Sequence, residues 1–268
     1  MSMQIVREDQ SNSTILQPFA NPLWAPTPVQ NVANRKHRTL KMCIVLPDTG
    51  YDVTQVCDSW HYFLKQGYMV HFATLTGNVA QADQRLLGGF KSWFFGATAE
   101  TCRLYERMST TTEFLKPLSL SSESFTFNTY DLVLIPGGQD PAVLEFVQCS
   151  RLSFLLSDYI PLCSRASGNH VLGTIAQGAI AVHCAAPNLQ IKSTTTPLYM
   201  ERTSYLLGVS NPSAYASTLI PADKYKAGPT ASHWIYSDTK YFYASGRYSG
   251  DVSLLCKALR NLVSSALH

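Results

Sequence analysis

Residues 171–184, VLGTIAQGAIAVHC, decide the fold. Val171 to Ile175 is a short apolar run that reads as a buried strand, Ala176-Gln177-Gly178 leaves room only for a tight turn, and a helix follows through Cys184. The same strand-then-turn pattern recurs upstream. Lys41 to Leu46 (KMCIVL) runs into Pro47-Asp48-Thr49-Gly50, and Asp131 to Ile135 runs into Pro136-Gly137-Gly138-Gln139. Val56, Trp60, Phe63 and Leu64 have helical spacing and predict a helix over Thr54 to Gln66, stopped by Gly67. A strand follows at Met69 to Thr74. A helix over Ala97 to Met108 follows, with Cys102, Leu104, Tyr105 and Met108 on its apolar face. One helix near Leu144 to Leu156, a strand at Tyr241 to Ala244 and a last helix at Asp251 to Ala266 complete the pattern, which is less regular from Leu206 to that strand. Strands alternating with helices predict an α/β fold with a doubly wound parallel sheet in a three-layer α/β/α sandwich.

In such sheets ligands bind beyond the carboxyl ends of the strands, where chain direction switches. Three strand exits therefore matter most: Asp48 to Asp52, Gly137 to Asp140, and Ala176 to Gly178. Glycine pairs are common in loops. A glycine pair combined with a strand–Ala–Gln–Gly–helix turn is a more specific signal.

The 268 residues exceed one average domain, but α/β domains often reach about 250 as one unit. Residues 1–39 are polar and carry Pro18, Pro22, Pro26 and Pro28, so they read as an extended leader, pinned to the surface by Phe19 and Trp24. Residues 40–268 form the domain. A net charge of +3 with one basic cluster, Arg35 to Arg38, excludes nucleic acid as the main partner, because phosphate binding needs a broader basic footprint. Seven dispersed cysteines without CxxC spacing argue for reduced thiols over a disulfide framework or a zinc knuckle. Without a signal pattern or an apolar run near 18 residues, no membrane partner and a cytoplasmic location are expected. No histidine pair has the i, i+4 spacing of a metal site, and His61, His71 and His183 read as packed or surface side chains. Neither a metal nor a cofactor is expected.

The chain resembles the ThiJ/PfpI family of the class I glutamine amidotransferase-like superfamily over roughly residues 41–264. The resemblance rests on LPDTGYDVTQV (46–56), FGATAE (95–100) followed by LYERM (104–108), YDLVLIPGGQDP (130–141), TIAQGA (174–179), TTTPLYMERTSYLL (194–207) and SGRYSGD (245–251). It implies a flavodoxin-like fold, a homodimer and, in active members, a nucleophilic Cys on the strand–helix elbow. A helix N-terminus and nearby amides lower the pKa of such a thiol. This sequence departs from that pattern. Ala176 holds the nucleophile position, followed by Gln177. Gln55 stands for the expected Glu, Gln139 for the His after the glycine pair, and Leu198 for a frequent Lys. Groups that ionise or attack are replaced by groups that only hydrogen-bond or pack.

The residues left for chemistry are Asp48, Tyr51 and Asp52, with Asp48 and Asp52 as acid and base if one is desolvated. Asp48 also fits a turn-capping role. Gln55, Gln139, Asp140, Ala176, Gln177, Thr195, Tyr199 and Arg202 are the candidate substrate-binding positions. Gln139 and Gln177 either orient carbonyls or fill vacated space, and Glu201–Arg202 is equally credible as a structural ion pair. Arg247 and Asp251 read as stabilisers of the last strand–helix turn, and Cys57 as a buried structural thiol. The leading expectation is an enzyme without a Cys nucleophile, a lyase, isomerase or cyclase acting on an oxygenated small molecule of specialised metabolism. The alternatives are a non-catalytic ligand-binding pseudoenzyme, and a Cys-dependent hydrolase or glyoxalase-type enzyme in which Ala176 is an engineered replacement.

Overall fold

A computed structural model of the chain describes residues 38–88, 97–206, 215–230 and 232–268. The leader expected at residues 1–39, with Phe19 and Trp24, lies outside the described residues apart from its last two.

Strands β1 (Lys41–Leu46), β3 (Met69–Thr74), β5 (Leu118–Ser119), β6 (Leu132–Ile135), β7 (Val171–Ile175), β8 (Ile235–Ser237) and β9 (Tyr243–Gly246) form one sheet in the order β5-β3-β1-β6-β7-β9-β8. All its pairings are parallel except β8 with β9. Two short strands, β2 (Thr49–Tyr51) and β4 (Gln81–Ala82), pair separately. The helices are α1 (Val53–Lys65), α2 (Gln84–Leu87), α3 (Ala99–Met108), α4 (Thr112–Leu115), α5 (Pro141–Val147), α6 (Ser150–Tyr159), α7 (Gly178–Ala185), α8 (Leu198–Leu206), α9 (Ala216–Leu219) and α10 (Val252–Ala266).

The period of two in β1 and β6 builds the layers. Met42, Ile44, Leu46, Leu132 and Leu134 join one core with Val56 and Phe63 of α1, Leu104 and Met108 of α3, and Leu255 and Leu259 of α10. Cys43, Val45, Val133 and Ile135 point the other way, into a core with Val143 of α5, Leu155 of α6 and Ile180 of α7. Both faces of the sheet are thus covered, which explains why these strands read as unbroken apolar runs. The result is the flavodoxin-like three-layer α/β/α fold.

Several local expectations need correction. The single helix near 144–156 is two, α5 and α6, broken at Gln148-Cys149. Leu64 is 45% exposed, outside the buried stripe of α1, and Thr101 takes the buried place on α3 where Cys102 and Tyr105 are half-buried. The last strand begins at Tyr243, because Tyr241 forms only an isolated bridge to Ser164.

β1 hydrogen-bonds to β3 on one side and β6 on the other, and the chain visits them in opposite directions. The switch point of the sheet therefore lies between the carboxyl ends of β1 and β6.

Candidate functional site

The exits of β1, β6, β7 and β9 converge on a cavity of about 50 Å³. Asp52 and Gln55 come from the first exit and α1, Gly138 and Gln139 from the second, and Ala176 and Gln177 from the third. Thr196 enters from the segment leading into α8, Met200 and Ser204 from α8 itself, and Tyr248 and Ser249 from the turn after β9.

Ala176 keeps a sharp elbow without a nucleophile. Its φ of +50° makes it the non-glycine residue in the left-handed region among the described residues, a conformation that costs L-residues about 1–2 kcal/mol. The surroundings hold it there: its N–H donates to the Gly246 carbonyl at 3.0 Å, and its own carbonyl accepts the Thr195 hydroxyl at 2.7 Å. The Gly137 turn packs on this elbow so closely that a Cβ at 137 would sit 2.8 Å from the Ala176 Cβ.

Asp52 caps α1. Its Oδ1 accepts the Thr54 and Gln55 N–H groups at 2.9 and 3.1 Å, and its Oδ2 accepts the Ser249 hydroxyl at 2.6 Å and Gln55 Nε2 at 3.3 Å. Burial raises its pKa above the usual carboxylate range, against the opposing pull of Ser249 and the two backbone N–H groups. The two glutamines close onto the glycine loop: Gln55 Oε1 accepts the Gly137 N–H at 2.7 Å, and Gln177 Oε1 accepts the Gly138 N–H at 3.2 Å. Gln139 Oε1 is buried with no hydrogen-bond partner.

Glu201 stands behind Gln177. It is 6% exposed, and its Oε1 accepts the Ala216 N–H at 3.0 Å. Burial pushes its pKa up to about 7, with the Ala216 and Ser217 amides and the Gln177 side chain opposing. The ion pair expected with Arg202 does not form, because Glu201 turns inward to α9 and Arg202 is exposed.

The structure thus gathers Asp52, Gln55, Gln139, Ala176 and Gln177 around one cavity. It leaves other candidates outside its lining. Asp48 is half-buried and accepts the Thr76 hydroxyl at 3.1 Å, a turn brace. Tyr51 is fully buried in the core against α3, where burial raises its pKa. Asp140 caps α5 through the Ala142 N–H and faces Arg85 at 3.4 Å. Thr195 braces the elbow from behind, and Tyr199 is 45% exposed.

Sequence reasoning missed Thr196, Met200, Ser204, Tyr248 and Ser249. Tyr248 and Ser249 were within reach, since they lie at a fourth strand exit inside SGRYSGD. That exit is set by a fully buried ion pair, Arg247 Nε to Asp251 Oδ2 at 2.8 Å, with Arg247 also donating to the Pro229 and Ser232 carbonyls. His183 lies outside the cavity, hydrogen-bonded to Ser193 Oγ at 2.9 Å, and burial lowers its pKa to about 4. Cys57 is fully buried, and burial raises its thiol pKa, so it is no substitute nucleophile.

No helix among the described residues is long and apolar enough to cross a membrane. The uncharacterized protein C14C4.04 of Schizosaccharomyces pombe is 72% identical over 268 residues, covering 100% of both chains. A second S. pombe protein, uncharacterized protein C18G6.12c, is 34% identical over 235 residues, 81% of this chain and 76% of that one. Glyoxalase III from Candida albicans superposes with a TM-score of 0.59 at 14% identity, over 84% of this chain and 97% of that one; the likeness is of fold. Residues 46–229 match the family model described as ThiJ/PfpI family-like, and on that match the chain belongs to the ThiJ/PfpI-like family.

Proposed function

We propose that the cavity binds a small molecule without covalent attachment and that Asp52 exchanges a proton with it, the chemistry of a lyase or isomerase. The observation that carries this reading is the Asp52 carboxyl itself: it lines the cavity, takes the Ser249 hydroxyl at 2.6 Å, and has its pKa raised by burial. A carboxyl so tuned reaches both protonation states closer to neutral pH than a solvated one does. Ala176 offers no atom for a covalent intermediate. A cavity of about 50 Å³ favours a ligand of a few heavy atoms over the larger intermediates that a cyclase would fold.

The test is exchange of substrate C–H for deuterium, followed by NMR in heavy water across a panel of small hydroxy and amino compounds. Asp52→Asn, which can still cap α1, should slow exchange roughly 100-fold or more. Absence of exchange across the panel overturns the catalytic reading.

A second reading is binding without turnover. It is favoured by the Gly137 and Gly138 N–H groups, which are occupied by Gln55 and Gln177 and so are not free to stabilise a developing oxyanion. Saturable binding in calorimetry with no turnover supports it. The Cys-dependent alternative draws on the retained elbow at Ala176 and on the likeness to a glyoxalase. Ala176→Cys assayed with methylglyoxal and glutamine tests it, and an inert variant removes it.

A further inference from the structure

A groove of about 470 Å³ runs between α1 and the first turns of α3 and α10, and it shares no lining residue with the cavity at Ala176. Thr54, Asp58, His61, Tyr62 and Lys65 recur at helical spacing and so present one face of α1 to it. From α3 and its cap come the exposed Thr98 and Glu100, and from α10 the exposed Ser253. Leu104 and Val252, both buried, add apolar surface.

Asp58 is the half-buried carboxyl of this groove. It accepts one long hydrogen bond, 3.4 Å from the Thr101 hydroxyl, whereas a carboxylate has about four acceptor positions. Among the described residues no Lys or Arg forms an ion pair with it or with Glu100. Burial raises its pKa to about 6, with the Thr101 hydroxyl opposing and the negative charges of Asp52 and Glu100 adding to the rise. Lys65 also lines the groove, but it is exposed and lies seven residues, about 10 Å, further along α1. The hydroxyls of Thr54, Thr98 and Ser253 both donate and accept, so they do not choose between ligands. The uncompensated charge at Asp58 does.

We infer that this groove is a second ligand site and takes an organic amine as its ammonium ion, with the nitrogen on Asp58 and the apolar body against Tyr62, Leu104 and Val252. An ammonium brings three donors and a positive charge to a carboxylate with unused acceptor positions. The Tyr62 ring suits both a cation and the hydrocarbon next to it. At about 30 Å³ for each water-sized volume, the groove admits a body of roughly ten heavy atoms. The site goes beyond the proton-transfer reading, since it asks nothing of Ala176 or of a reaction there.

The full-length chain is titrated at pH 8 with phenethylammonium, and with 2-phenylethanol and phenylacetate as neutral and anionic counterparts of similar size, by calorimetry and amide NMR. The amine should saturate one site per chain about tenfold more tightly than either counterpart, the scale of a charge-assisted hydrogen bond. It should shift the amides of His61, Thr101 and Ser253. Asp58→Asn should bring the amine to the affinity of the alcohol and leave the alcohol unchanged, a pattern that general damage to the fold does not produce. Ser253→Lys sets a cation at an exposed position of the groove and should likewise weaken the amine alone. It decides the matter if thermal melting shows that Asp58→Asn does not fold. Alcohol or phenylacetate binding as tightly as the amine overturns the inference. So does an amine preference that survives Asp58→Asn in a folded chain, or Ser253→Lys where that variant does not fold. Amine shifts confined to Gly137, Ala176 and Gln177 overturn it too, as does no amine binding at all. Deuterium exchange bears on the cavity at Ala176 alone, so the two readings fail separately.

Discussion

Gln55 joins the two halves of the cavity: its Oε1 accepts the Gly137 N–H at 2.7 Å while its Nε2 donates to Asp52 Oδ2 at 3.3 Å. The side chain must accept at one end and donate at the other, which an amide does and a carboxylate does not. A glutamate here would hold the glycine loop equally well but would set a second negative charge against Asp52.

Gln55→Glu should therefore destabilise the fold by about 1–3 kcal/mol at pH 8, the scale of like charges in contact at a partly buried site. Two carboxyls at this spacing share a proton, so the folded-state pKa of the pair rises. The penalty is then small below the unfolded carboxyl range and grows as pH rises through the raised value. Urea titrations at pH 5 and pH 8 read it, and an equal penalty at both values contradicts the like-charge account.

Ala176 stores backbone strain at φ +50° with only a methyl group to bury. Replacing it by Gly removes about 1–2 kcal/mol of left-handed strain and loses about 0.8 kcal/mol of methyl burial. Ala176→Gly should be neutral to slightly stabilising. Ala176→Val, β-branched in the left-handed region, should lose more than about 2 kcal/mol. Chemical denaturation of the two variants decides it, and a tolerated Val shows that the elbow relaxes.

Arg247 and Asp251 are both fully buried, and Asp251 also accepts the Trp234 N–H at 2.9 Å. Removing one partner leaves an uncompensated charge in the core, typically at a cost of about 3–5 kcal/mol. Asp251→Ala should lose that much stability and displace Tyr248 and Ser249. Intact stability would mean that the pair does not organise the fourth strand exit.

The layers were legible because β1, β6 and β7 are buried on both faces, and such strands announce themselves as apolar runs followed by turn residues. The elbow and the Gly137-Gly138 loop were legible for the same reason. What escaped was set by partners distant in sequence. The two-residue strands β4 and β5 are too short to show a period, and the break between α5 and α6 falls at Gln148-Cys149, without Gly or Pro to mark it. Asp48 and Asp52 look alike in LPDTGYD, yet one braces Thr76 and the other meets Ser249, 197 residues away. The inward turn of Glu201 depends on the Ala216 N–H across a segment with no clear periodicity. Its neighbour Arg202 suggested a local ion pair that the fold does not make.

Glu201 gives stability a pH dependence of known sign. Its carboxyl titrates at about 7 in the fold against an ordinary 4.5, so between those values the folded chain holds a proton that the unfolded chain has lost. The stabilisation is therefore complete below pH 4.5 and lost as pH rises through about 7, with a ceiling of about 3 kcal/mol. His183 works oppositely, its preference for the neutral form being lost as pH falls from 6.5 toward about 4. The wild-type profile alone does not separate them, but a difference between two chains with the same His183 does. Glu201→Gln keeps an oxygen for the Ala216 N–H and removes the ionisation. It should match wild type within about 0.5 kcal/mol at pH 4.5 and exceed it by about 1–3 kcal/mol at pH 8. Denaturant midpoints measured at both values, with m unchanged, give the comparison. A variant less stable than wild type at pH 8 means that the buried carboxylate has a donor or cation partner there.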